Sequence, residues 1–255
     1  MIEVVDLYKE FKGIPVLKGI STTFEKGITN MIIGQSGSGK TVFLKCLVGL
    51  HIPDSGIISF DGRKQKELDI KEQRLLRQEI GMVFQGGALY DSLTVEENIM
   101  FPLKMFTDQS FEEMLDRVNF VLKRVNLDNA NKKFPAELSG GMQKRVSIAR
   151  AIVMNPKYLF CDEPNSGLDP NTATVIDNLI KEITEEYQII TVINSHDMNS
   201  VMEIGEKIIF LKDGVKEWEG TNKEIFKTEN EAIVNFVYSS NLFRKVREVH
   251  LKETK

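Results

Sequence analysis

Residues 34–41 read Gly34-Gln35-Ser36-Gly37-Ser38-Gly39-Lys40-Thr41, a GxxxxGK[ST] string between an apolar strand-like run and an apolar helical pattern. Its chemistry is phosphate binding. Glycines let backbone amides turn inward as an anion nest, the following helix aims its positive end at the same spot, and Lys40 adds a point charge on terminal phosphates. The Thr41 hydroxyl is expected to hold Mg2+. An ordinary glycine turn is the competing reading; a chance match in a chain of this length is on the order of 1 in 100.

Two further strings add carboxylates and amides. Tyr158-Leu159-Phe160-Cys161-Asp162-Glu163 ends an apolar strand pattern in two adjacent acids, at the carboxyl edge of the sheet where α/β folds bind ligands. Alternation along the strand is expected to send the two side chains different ways, so that Asp162 holds the metal's water shell and Glu163 faces the water attacking a γ-phosphate. Without the phosphate loop, an Asp-Glu-Pro corner that caps a turn would be as good a reading. Leu138-Ser139-Gly140-Gly141-Met142 alone reads as a helix start with Ser139 as cap, and the same helix end forms a second phosphate-binding group from Ser139 and the Gly140 and Gly141 amides.

The elements that must hold these groups alternate between apolar strands and amphipathic helices, which predicts an α/β fold with a mainly parallel sheet. Residues 27–40 supply strand and loop, and the next ten place Val42, Leu44, Cys46, Leu47 and Leu50 on a buried helix ending near Pro53. Residues 63–79 are so charged that they form a solvated connection or surface helix. From 86 to 154 helical periodicity takes over, with Ser110 and Glu113 spaced as a capping box and a second helix starting after Ser139. A buried strand returns at 157–164, a helix follows with Asp169 as N-cap and Pro170 at its first position, then another strand and a hairpin turned at Asp213-Gly214. Residues from about 223 have no place in the sheet pattern.

Composition bounds the function. The 255 residues are 42% hydrophobic and 27% charged with a net charge of −4, which excludes disordered and fibrous classes and has the wrong sign for a nucleic-acid binder. No apolar run approaches the roughly 18–20 residues of a spanning helix, and the start MIEVVDLYKEF lacks the pattern of a signal peptide. Cys46 and Cys161 lie in apolar segments without CxxC spacing and read as reduced, buried small hydrophobes of a cytosolic chain.

The phosphate loop, Gln85 in VFQ, the LSGGM string, the carboxylate strand, Asp169 in SGLD and His196 occur in one order. This series resembles the nucleotide-binding subunit of an ABC transporter, over about residues 1–222. The resemblance implies a P-loop NTPase with a RecA-like parallel sheet core over 1–85 and 155–222, antiparallel β elements, an ABC-specific helical subdomain over 86–154 and a C-terminal extension over 223–255. It implies an ATP hydrolase with ATP and Mg2+ held by Gly34, Gln35, Ser36, Gly37, Ser38, Gly39, Lys40, Thr41 and Val42. Lys40, Glu163 and His196 carry catalysis, with His196 on the γ-phosphate, and Thr41, Gln85 and Asp162 face the metal. Phe11 falls where the family usually has a tyrosine that stacks on adenine. Ser139, Gly140 and Gly141 close on ATP held by a second subunit, giving a homodimer with two composite sites, and Asp169 communicates across it. Met142 stands where glutamine is common.

Residues 81–103, LSGGM and the helix after it resemble the ATPase of MCE-type lipid transporters, the Mla phospholipid system. That resemblance implies phospholipid cargo, an integral-membrane permease, an MCE lipid-binding protein, often a small STAS-domain subunit, and a place on the cytoplasmic face of the inner membrane. Leu89, Tyr90 and Leu93 are candidate permease contacts or core packing. The tail, with Ile233, Phe236, Val237, Leu242, Phe243 and a basic end, is expected to hold the dimer or a regulatory subunit, or to lie loose near anionic lipid. Amino acid or lipoprotein cargo is the alternative, and a non-transport ABC ATPase a more distant one.

Overall fold

The computed structural model describes residues 1–238 and Lys245, so the expectations for Leu242, Phe243 and the basic end lie outside the described residues. The chain divides into two compact units, Met1–Glu67 with Ile193 onward, and Leu68–Val192. In the first unit, β1 (Ile2–Phe11) and β2 (Ile14–Phe24) form an antiparallel hairpin. β3 (Thr29–Ile33) is buried at every residue, as a strand covered on both faces must be. It leads through residues 34–39 into α1 (Lys40–Leu47). β4 (Ser55–Phe60) and β5 (Arg63–Lys64) complete a sheet of order β2-β1-β4-β5.

The second unit opens with α2 (Ile70–Gln78), which buries only Leu76, as its charge predicts. β6 (Ile80–Val83) pairs in parallel with β7 (Tyr158–Asp162). Between them come helices and no strand: α3 (Val95–Phe106), α4 (Phe111–Arg124) and α5 (Gly140–Ile152). The expected Ser110–Glu113 capping box starts α4, and its stripe Met114, Val118, Val121 and Leu122 is buried. α6 (Pro170–Tyr187) starts on Asp169 with Pro170 at its first position, as expected. β8 (Ile190–Asn194) begins where Ile190 N donates to Lys157 O at 3.0 Å.

The chain then returns to the first unit, where Ser195 N donates to Ile32 O at 3.1 Å. α7 (Met198–Ile204) is followed by β9 (Lys207–Lys212), parallel to β3, and β10 (Val215–Gly220), antiparallel to β9. Asp213 and Gly214 turn this hairpin with φ of 50° and 84°, the I′ geometry the Asp-Gly pair predicts. Among the described residues no helix is long and apolar enough to cross a membrane.

Two expectations are corrected. α1 stops at Leu47 rather than near Pro53, because the amides of Leu50 and His51 turn back to Lys45 O at 2.9 and 3.0 Å, and Leu50 is left 58% exposed. The tail is not all open for a partner. α8 (Glu231–Val237) folds onto its own unit, with Ile233 and Val237 buried, Phe236 stacked on Phe210 at 5.1 Å and Tyr238 Oη donating to Ile225 O at 3.1 Å. Apolar side chains so close to a sheet cover it before they can cover anything else.

Candidate functional site

In the first unit the loop from Gly34 to Gly39 is shaped by positions only glycine can hold. Gly34 has φ of 152°, and a Cβ there would lie 2.2 Å from Leu211 O. Gly39, the N-cap of α1, has φ of 100° and offers no side chain to the helix, so its first-turn amides face outward for an anion. Lys40 is 7% exposed, its ammonium donating to Gly34 O at 2.9 Å and Gln35 O at 3.0 Å. Ser38 Oγ is buried without a hydrogen-bond partner. An orphaned buried hydroxyl costs about 1–3 kcal/mol, and beside an uncapped helix end a phosphate oxygen is the acceptor that would relieve it. The residues present fit a nucleotide phosphate.

Around this loop, Asn194 Nδ2 donates to Thr41 Oγ1 at 3.3 Å, so the end of β8 orients the hydroxyl expected to face a metal. His196, two residues on, is exposed, and Val42 is half-buried on α1. Phe11 is 40% exposed, with Lys9 Nζ 5.1 Å from its ring centroid and His51 edge-on at 5.3 Å. Burial pushes the Cys46 thiol up to about 11 and the Cys161 thiol up further; both are free and buried, as expected.

In the second unit β7 ends at the buried Asp162, and Glu163 turns out of the strand with φ of 47°. Strand alternation therefore does not extend to Glu163, whose backbone sits in the left-handed region. Gln85 Nε2 donates to Glu163 Oε2 at 3.0 Å, which brings together two predicted residues 78 positions apart. Lys144, buried on α5, donates to the Gln85 carbonyl. Burial pulls its ammonium below the ordinary lysine range while the Glu163 carboxylate acts against that shift.

The other predicted residues of this unit meet at two helix starts. Ser139 Oγ accepts from Met142 N at 3.3 Å, a conventional cap. A Cβ on Gly141 would lie 2.6 Å from Thr172 Cγ2, so the second glycine lets α5 begin against the start of α6. There Asp169 accepts from Thr172 N at 3.1 Å and Thr172 Oγ1 at 2.5 Å, and the Thr172 hydroxyl holds its carboxyl below the usual range. Asn165 Nδ2 reaches Asp177 Oδ1 and Oδ2 at 3.3 and 3.2 Å, both residues buried, and ties down the chain between Glu163 and Asp169. Asn165, Asp177, Asn194 and Lys144 were not among the predicted site residues. Their signal was weak but readable: polar residues inside runs whose periodicity demands burial.

A groove of about 390 Å³ opens in the same unit, lined among others by Phe84, Tyr90, Phe101, Phe106 and Arg150. Tyr90 is 47% exposed and packs on Phe101 at 5.1 Å, while Leu89 and Leu93 are half-buried.

The ABC transporter family profile matches residues 17–166, a span that holds the phosphate loop, Gln85, the Leu138–Met142 turn and both carboxylates. The chain belongs to the ABC transporter family: it is an ATP-binding subunit of that class, an ATP hydrolase with a P-loop α/β fold. Methionine import ATP-binding protein MetN of Campylobacter jejuni is 37% identical over 257 residues, covering 94% of this chain and 76% of that one. Its counterpart in Clostridium tetani is 39% identical over 227 residues, covering 89% and 71%. A bacterial ABC transporter cassette solved as a dimer is 36% identical, with a TM-score of 0.80 over 87% of this chain and 99% of that one; the same cassette is known in a post-hydrolysis state bound to ADP and Pi.

Proposed function

We propose that this chain is the ATP-hydrolysing motor of an amino-acid importer, working at the cytoplasmic face of a membrane through a separate permease. The hydrogen bond from Gln85 to Glu163 supports the catalytic reading most directly. It aims a carboxylate, already turned out of its strand, as the general base for the attacking water. Residues 34–42 cradle the phosphates, Lys40 holds the terminal ones, His196 contacts the γ-phosphate and Phe11 stacks on adenine. Thr41, Asp162 and the Gln85 amide oxygen supply the hard donors Mg2+ takes alongside phosphate oxygens; when bound, the ion neutralises charge developing on the transferred group. Ser139, Gly140, Gly141 and Asp169 serve the nucleotide of a second copy. Glu163→Gln should keep ATP binding and cut hydrolysis by about 10²–10⁴-fold; unchanged hydrolysis rejects the assignment.

The half-exposed aromatics of the 390 Å³ groove fit a permease element, with Tyr90 the contact and Leu89 and Leu93 shared with core packing. Amino-acid cargo rests on the methionine-import relatives. Lipid cargo, with an MCE protein and a STAS-domain subunit as partners, is the second reading, favoured by the string of residues 81–103 and by Met142 in the Leu138–Met142 turn. Purification of the intact complex separates the two: recovery of a solute receptor supports the first, and recovery of an MCE protein with bound phospholipid replaces it with the second.

A further inference from the structure

The segment after β6 that carries Gln85 has no regular partner strand, so its carbonyls must find donors elsewhere. One face of α5 provides them. Lys144 Nζ donates to the Gln85 carbonyl. Ser147 Oγ sits 3.1 Å from Gly87 O, sharing its proton with Gln143 O at 3.0 Å. Arg150 forks across the next turn, Nη2 to Gly87 O at 2.7 Å and Nη1 to Ala88 O at 2.8 Å. The three residues are spaced at i, i+3 and i+6, so they form one stripe. Lys144 is 8% exposed and Ser147 fully buried, and the bond from Ser147 to the buried Gly87 is out of reach of water, while that from Arg150 to Ala88 O is exposed. Two of the three donors are cations, whose hydrogen bonds are the stronger kind.

Both ends of this contact lead to the machinery. The same helix begins at the Ser139 turn, and Arg150 also lines the aromatic groove. We propose that Lys144, Ser147 and Arg150 are positioning residues that clasp segment 85–88 to α5, so that an element seated in the groove moves Gln85 and the Ser139 turn as one piece. The inference rests on the site reading above for its consequence in turnover, and on the hydrogen bonds alone for the clasp itself.

Hydrogen exchange of the full chain without nucleotide tests the clasp. Lys144→Met and Arg150→Leu should each speed exchange of the amides in 84–90 about tenfold, with α4 unchanged. In the assembled transporter both should lower kcat by about tenfold or more with KM for ATP retained, and remove stimulation by the permease. Lys144→Arg should restore both. Ser147→Ala, which removes one neutral bond, should give a smaller increase in exchange and remains decisive if the larger changes prevent folding. Wild-type exchange over 84–90 in these variants overturns the proposal, as does full permease stimulation in a variant whose loop has loosened. Unchanged hydrolysis in Glu163→Gln would remove the site reading while leaving the exchange result to stand or fall by itself.

Discussion

Two helix starts in this molecule carry the same ingredients, a serine, glycines and a row of amides, and treat them differently. At α1 the N-cap is a glycine with no side chain to give, while the neighbouring Ser38 hydroxyl is buried without a partner and a buried lysine bridges the loop carbonyls. At α5 the N-cap serine accepts from its own helix and the glycine pair is packed against Leu168 and Thr172. The first start is incomplete until an anion arrives. The second is satisfied as it stands, its first turn ordered by its own serine.

The contrast can be broken by substitutions at four positions. Lys40→Ala should weaken ATP binding by roughly 10–100-fold, since a charge-assisted bond is worth about 1.5–3 kcal/mol; titration calorimetry giving a Kd within a factor of two would mean the first start does not depend on its cation. Phe11→Ala should lower affinity by about 1–3 kcal/mol with Phe11→Tyr close to wild type, and equal affinity in all three would detach the β1–β2 hairpin from the nucleotide. Ser139→Ala should act on the fold, removing about 1 kcal/mol and lowering Tm by roughly 2–4 °C. An unchanged melting curve would show that α5 is not self-capped. The smallest effect belongs to Gly140→Ala, whose Cβ would sit 3.5 Å from Leu168 Cδ2 at an ordinary backbone angle; unfolding stability should stay within about 0.5 kcal/mol, and a larger loss would make the first glycine as constrained as Gly34.

Much of the positioning was legible because it is local. The Ser110–Glu113 box, Asp169 with Pro170, the Asp213-Gly214 turn and the buried runs of β3 and β7 each follow from a few neighbouring residues whose hydrogen bonds close within a turn. The stop of α1 is not legible in the sequence because apolar Leu50 continues the helical period, while the return of two amides to Lys45 O has no signature in hydrophobicity. On cargo, the short string over residues 81–103 points to lipid, whereas similarity over most of the chain runs to methionine-import relatives.

Residue type and spacing alone therefore settled the phosphate loop, the starts of α4, α5 and α6, and the buried runs of β3 and β7, because these depend on propensity, caps and periodicity within a dozen residues. Tertiary structure decided that Gln85 holds Glu163, that α5 grips the loop between them through Lys144 and Arg150, and that Gly141 exists to admit Thr172. Those contacts join positions dozens of residues apart, and no local preference encodes which buried donor will meet which stranded carbonyl.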